Sequence, residues 1–216
     1  VVDIDGVIEG GRFRGLLLLV TGCLFLTLLF DGLDFTMVGY LMPIIAKDFG
    51  AAREEVVWVL ALSPIGGAVG GFLGGYLGDR IGRRRALIGS VFLFSAAGFG
   101  MATAPTVTLL GAIRFFAAIG LGAATPNTAA LLSELLPRRL RSQILAAVFV
   151  GFPLGAALNG VLIPVIVPDF GWRTMIVVGA ALPLLLLVPL IRWVPESPSF
   201  LAGRPKRRGE LVELLN

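Results

Sequence analysis

The chain has 216 residues, of which 56 % are hydrophobic and 15 % are charged, and its net charge is +4. Soluble domains carry about 25 % charged residues, so this composition, with a mean hydropathy of +0.92, excludes an ordinary soluble enzyme, a disordered chain and a nucleic-acid-binding domain. Histidine is absent and the single cysteine, Cys23, lies in an apolar run, so nearly all the usual ligands of a first-row metal centre and the partner for a disulfide are missing. We therefore expect no metal and no cofactor.

Six apolar segments, separated by short polar breaks, run through the chain. They are residues 16–45, 56–77, 86–104, 107–132, 144–167 and 174–194. Each exceeds the roughly 18 residues that a membrane-spanning helix needs. The sequence predicts an all-α membrane protein with a terminal segment over residues 1–15, a six-helix bundle over 16–194 and a tail over 195–216 that begins a longer central loop.

Basic residues are concentrated in alternate breaks between these segments. Thirteen of the 18 fall on one side: Arg12, Arg14, Arg80, Arg83, Arg84, Arg85, Arg138, Arg139, Arg141, Arg204, Lys206, Arg207 and Arg208. The opposite breaks hold only Lys47, Arg53 and Arg173. Because loops rich in Lys and Arg stay in the cytoplasm, we predict a multi-pass protein of the plasma (inner) membrane with both ends cytoplasmic.

Three ionisable residues lie inside the apolar segments: Asp31 and Asp34 in the first and Arg114 in the fourth. Each costs at least about 2.5–3.5 kcal/mol in hydrocarbon, so each needs a reason to be there. The three-residue spacing places both carboxylates on one helical face. One interpretation is a structural Asp–Arg pair that joins the first and fourth helices. The other is a water-filled path in which an unpaired carboxyl binds and releases a proton.

Glycines and charges mark the helix ends and contacts. Gly66, Gly70 and Gly74 repeat every four residues, which favours close helix packing, although backbone lining of a substrate path is an alternative. In the break from Gly75 to Arg85, we expect Asp79 to accept hydrogen bonds from the start of the third helix. The acidic residues Glu134 and Glu196 lie at helix ends on the basic side, near Arg138.

Several of these strings together resemble a known family. The string Gly-x-Leu-x-Asp-Arg-x-Gly-Arg-Arg, residues 75–84, resembles the loop signature of the major facilitator superfamily, with conformational roles for Gly75, Asp79, Arg80, Gly82, Arg83 and Arg84. Arg114 followed by Gly120-x-Gly122 resembles the superfamily's fourth-helix pattern. Pro195-Glu196-Ser197-Pro198 resembles the ending of its sixth helix. Within the superfamily, the chain resembles the aromatic acid:proton symporters. The residues that carry this resemblance are Asp31-Gly32-x-Asp34, Pro126-Asn127, Ser133-Glu134 and residues 151–157.

The resemblance implies a secondary transporter, not an enzyme, whose partners are a small aromatic acid, protons and the lipid bilayer. In this interpretation Arg114 binds the substrate carboxylate, Asn127 contacts a ring hydroxyl, and Asp31 contributes to the substrate site as the partner of Arg114. The coupled proton is carried by Asp31 or Asp34, with Asp34 favoured because it lies nearer the outer side. Members usually have two six-helix halves, so a second half is expected in the full-length chain. The alternatives are a sugar or other organic-anion porter of the same superfamily, or a non-transporting six-helix scaffold.

Overall fold

The computed structural model describes residues 11–137 and 139–202, and most of that part of the chain is helical. The helices are α1 (Gly11–Phe49), α2 (Arg53–Ile81), α3 (Arg83–Ala102), α4 (Val107–Leu135), α5 (Arg141–Phe149), α6 (Gly151–Trp193) and α7 (Pro198–Ala202). Within the described residues, five stretches are long and apolar enough to cross a membrane, of which the last joins α5 and α6 over 53 residues.

That last stretch crosses the bundle twice, because α6 breaks at Gly171. The backbone there has φ 78° and ψ 166°, which is not helical and which only glycine adopts without strain. Before the break, positions 151, 155 and 159 contact progressively later residues of α1: Phe25, Leu29 and Leu33. After it, Gly179 contacts Met37, and Ile191 reaches the start of α3. The six predicted crossings are therefore present.

Several helix boundaries differ from those expected, most clearly those of α1 and α3. α1 has 39 residues, or about 58 Å at 1.5 Å per residue, against a hydrocarbon core of about 30 Å. It extends beyond both ends of the predicted segment because polar residues at a membrane surface do not end a helix by themselves. α3 begins at Arg83 rather than at residue 86, because only Gly82, with φ 109°, separates it from α2.

The helices pack in two parallel pairs whose contacts depend on small residues. In α2, the buried face is Ser63, Gly66, Gly70, Gly74 and Gly78 together with Val59. A Cβ on Gly70 would overlap the carbonyl group of Ile119 in α4, and one on Gly155 of α6 would overlap that of Leu29 in α1. The predicted glycine row is thus a packing surface, as small residues are in membrane helices generally.

We call the end of the bundle that holds the α2–α3 break at Gly82, the end of α4 and helix α7 the basic end. At the opposite end, α1 finishes beside the Gly171 break. Asp48 there accepts hydrogen bonds from the Trp172 indole (3.0 Å) and the Arg173 guanidinium (3.2 Å). Each end of the bundle is thus held together by its own polar cluster, and the intramembrane charges lie between the two ends.

Candidate functional site: the intramembrane charges

Arg114 of α4 is fully buried and forms an ion pair with Asp34 of α1, with 2.5 Å between Nη1 and Oδ2. Its Nε donates to the Ser63 hydroxyl of α2 at 2.9 Å. Its Nη2 donates to the backbone carbonyls of Asp34 (3.3 Å) and Phe35 (3.2 Å). A planar guanidinium with five N–H donors can serve all of these acceptors together. One side chain therefore joins three helices.

The expectation that Asp31 pairs with Arg114 is wrong. Asp31 accepts a hydrogen bond from the Thr125 hydroxyl of α4 at 3.0 Å, between Oγ1 and Oδ2. The reason is depth: α4 runs antiparallel to α1, so Arg114, early in α4, lies level with the later of the two acids. Both carboxylates are nearly inaccessible, at 3 % and 2 % exposed. Asp34 therefore has a cationic partner, whereas Asp31 has a neutral one.

Asp31 and Thr125 line a cavity of about 330 Å³ between α1, α2, α4 and α6. Its walls are apolar and partly aromatic: Phe35, Pro64, Gly67, Ala118, Leu121, Gly122 and Phe152. The rings of Phe35 and Phe152 face each other with centroids 5.8 Å apart and planes tilted by 51°. An apolar cavity with a few convergent polar groups is typical of a small-molecule site.

A second cavity of about 420 Å³ continues toward the opposite end along α1 and α2, where Phe35, Thr36, Ser63 and Pro64 are among its lining residues. Phe35 and Pro64 belong to both cavities, so the two are neighbours. Arg114 is in neither lining. Its contacts agree with the structural interpretation, and substrate binding by this residue stays a prediction.

Asn127 lies in the contact between α2 and α4 and not in the lining of the cavity beside Asp31. It is fully buried, and its Nδ2 donates to the carbonyls of Gly74 (2.9 Å) and Ala123 (2.8 Å). A Cβ on Gly78 would overlap its amide oxygen. These contacts make Asn127 a link between two helices, and they do not favour the predicted hydrogen bond to a ring hydroxyl.

Three polar residues near the charges were not anticipated: Thr125, Ser63 and Asn159. Thr125 follows Arg114 by 11 residues, which at 100° per residue leaves the two only about 20° apart around α4. That spacing was available from the sequence. Asn159 of α6 donates to the Leu33 carbonyl and the Thr36 hydroxyl, each at 2.8 Å. No periodicity in α1 indicates this contact, because it depends on how α6 is rotated.

At the basic end, the exposed Asp79 and the half-buried Arg83 form an ion pair of 2.5 Å across the α2–α3 break. The Arg80 guanidinium lies 4.4 Å from the centre of the Tyr76 ring. The expectation that Asp79 caps α3 is wrong, since the N-cap residue is Gly82 and it has no side-chain cap. Glu196 supplies the acceptor instead: its Oε1 accepts from the backbone N–H of Arg84 at 2.9 Å.

Glu134 and Glu196, the two glutamates at helix ends, both accept hydrogen bonds from residues 197–199. Glu196 also accepts from the Ser197 backbone N–H at 3.0 Å. Glu134 accepts from the Ser197 hydroxyl and, at 2.6 Å, from the Ser199 hydroxyl. The segment that leads into α7 thus joins the ends of α3, α4 and α6. Arg138, and the basic residues of the tail after residue 202, lie outside the described residues.

Comparison with known proteins agrees with this architecture. The model of the Major Facilitator Superfamily matches residues 24–216. The chain belongs to this superfamily. It is 36 % identical over 192 residues to the 4-hydroxybenzoate transporter PcaK of Pseudomonas putida, covering 89 % of this chain and 43 % of that protein. It is 34 % identical over 215 residues to the gallate transporter of the same organism, covering 99 % of this chain and 48 % of the relative.

The fold is that of a known superfamily structure as well. The xylose transporter XylE from E. coli, in a partially occluded inward-open conformation, superposes with a TM-score of 0.82 at 25 % identity, covering 94 % of this chain and 54 % of that one. This Major Facilitator chain spans about half the length of the curated relatives it matches. It is a multi-pass membrane protein of a transporter family, not of an enzyme family, and it is related to aromatic-acid transporters.

Proposed function

We propose that this chain forms one half of a secondary transporter that moves small aromatic carboxylates together with protons across the plasma (inner) membrane. A second six-helix half completes the transporter, and both ends of the chain face the cytoplasm. The observation that carries the proposal is the aromatic-lined cavity with Asp31 at its edge, bonded to a neutral hydroxyl. The relatedness to aromatic-acid transporters supports the substrate class.

The proton-carrying role goes to Asp31 rather than to Asp34. The charged groups around Asp31 are Asp34 on its own helix and Arg114 on α4. The cavity residues that α2 and α6 present to it, Pro64, Gly67 and Phe152, are uncharged. Because Arg114 neutralises only one of the two carboxylates, one negative charge is left in the membrane, where charge is costly. A proton on Asp31 removes that charge.

The test is Asp31→Asn in the transporter assembled from this chain and its second half. In vesicles, the variant should lose accumulation of benzoate, which has no ring hydroxyl, when a pH gradient is imposed, and it should retain benzoate counterflow between equal concentrations. Asp169→Asn, an exposed acid near the Gly171 break, is the matched control and should keep both activities. Persistent pH-driven accumulation by Asp31→Asn would remove this carboxyl from the coupling step, and no uptake by the parent would overturn the substrate class.

A further inference from the structure

The cavity beside Asp31 has one polar end, and that end has unused hydrogen-bonding capacity. The Thr125 hydroxyl donates its single hydrogen to Asp31 Oδ2, which leaves its own oxygen free to accept. Asp31 has a second carboxylate oxygen beside it. The pair therefore presents two oxygen atoms to a bound molecule, at the edge of a cavity whose other walls are apolar.

The rest of the cavity suits a flat ring. Phe35 and Phe152 provide tilted aromatic faces, and Pro64 and Leu121 add apolar contact. Gly67 and Gly122 leave the wall between α2 and α4 without side chains. A Cβ on Gly67 would meet nothing within 4 Å, so the space that its missing side chain leaves belongs to the cavity. The volume of about 330 Å³ lies near the lower end of the roughly 300–1,000 Å³ typical of ligand pockets.

The charge of Asp31 dictates which end of an aromatic acid it can face. A substrate carboxylate and an ionised Asp31 would repel each other, because little solvent lies between them to screen the two charges. A ring hydroxyl has no such conflict. It can donate to Asp31 when the carboxyl is ionised. When the carboxyl is protonated, the ring hydroxyl can accept from Asp31 and donate its own hydrogen to the Thr125 oxygen.

We propose that the Asp31–Thr125 pair recognises a ring hydroxyl of the substrate, which lies with its hydroxyl toward the pair and its carboxylate away from it. This assignment rests on the proposed transport of aromatic acids and adds the substrate class: hydroxylated rings whose hydroxyl is remote from the carboxylate. In this assignment Thr125 is the specificity-determining residue. It is also the one to substitute, because its side chain can be changed without removing the charge of Asp31.

The experiment compares three acids, benzoate, 4-hydroxybenzoate and 2-hydroxybenzoate, in the parent transporter and in Thr125→Val and Thr125→Ser. Loss of one hydrogen bond should raise the KM for 4-hydroxybenzoate roughly 2- to 12-fold relative to that for benzoate in Thr125→Val. Thr125→Ser keeps the hydroxyl and should keep the parent ratio. With 2-hydroxybenzoate, where hydroxyl and carboxylate are adjacent, the ratio to benzoate should not change.

Gly67→Val tests the ring site independently of Thr125. Its side chain would fill the cavity and should raise the KM for both benzoate and 4-hydroxybenzoate. Gly89→Val is the matched control, since a Cβ on Gly89 also meets nothing within 4 Å but that residue lies on α3, along a groove beside α2 and α4. It should leave both values unchanged.

Each outcome decides between the proposals. If Thr125→Val changes the KM for all three acids by the same factor, the threonine only positions Asp31, and hydroxyl recognition is overturned while aromatic-acid transport stands. If Gly67→Val has no effect on either acid, the cavity is not the ring site and the inference fails again. If the parent takes up none of the acids, the proposed function is overturned, and this inference with it.

Discussion

The Arg114 side chain is the point where α1, α2 and α4 are held together, and its geometry explains why an arginine is needed there. Four hydrogen bonds leave the guanidinium in three directions, toward a carboxylate, a hydroxyl and two carbonyls. Lysine offers three donors from one nitrogen atom, so it cannot reach acceptors on two different helices in the same arrangement. Its charge alone does not replace the fork.

Arg114→Lys should therefore lower the stability of the folded protein, by about 1–3 kcal/mol, because at least one buried acceptor loses its partner. The measurement is the melting temperature of the purified protein, with calorimetric binding of 4-hydroxybenzoate recorded alongside. Arg192→Lys, an exposed arginine near the end of α6, is the control and should melt as the parent does. An unchanged melting temperature with weakened binding would instead identify Arg114 as a substrate anchor.

Among the helices, the contact between α2 and α4 depends on the absence of side chains at every fourth position of α2. Gly70→Ala places a methyl group against the Ile119 carbonyl. Overpacking of this kind costs about 1–3 kcal/mol, so we expect a lower melting temperature and a lower yield of folded protein in detergent.

Gly71→Ala is the adjacent control for that substitution. Its Cβ would lie 3.7 Å from the carbonyl oxygen of Gly122, which is ordinary contact, and its melting temperature should match that of the parent. Equal losses in both variants would show that the helix-wide glycine content matters and that the predicted face does not.

The positions of the helices were predictable because membrane crossings are set by apolar length, which is a local property of the sequence. The glycine face was predictable for a similar reason, since a four-residue repeat belongs to a single helix. The partner of each acid was not predictable from the sequence. Asp31 and Asp34 share one helical face, and only the relative depth of α1 and α4 decides which of them contacts Arg114. The contacts of Asn127 were not predictable for the same reason: its direction follows from the rotation of α4 against α2.

For the bundle as a whole, the basic end is where loops from distant parts of the chain meet, and we predict that its charges control the rate of conformational change. Asp79→Asn removes the partly exposed pair with Arg83 without altering any apolar segment. It should leave membrane insertion and melting temperature intact and slow uptake of 4-hydroxybenzoate. Exposed pairs contribute little to stability, so the effect should be kinetic.

The control for Asp79→Asn is Glu54→Gln, an exposed acid in the first turn of the same helix at the opposite end. It should transport at the parent rate. Normal transport by Asp79→Asn at normal expression would dismiss a conformational role for this loop.

The bond between the Arg84 backbone N–H and Glu196 has a consequence for biosynthesis. The two residues are 112 positions apart, and a ribosome adds about 5–20 residues each second. The first turn of α3 thus waits roughly 6–22 seconds after its own synthesis before its acceptor emerges. Until then the backbone N–H of Arg84 lacks its carboxylate acceptor, which Glu196 supplies only after the sixth crossing has been synthesised. The order of translation therefore makes the segment that follows the sixth crossing the one that completes the start of the third.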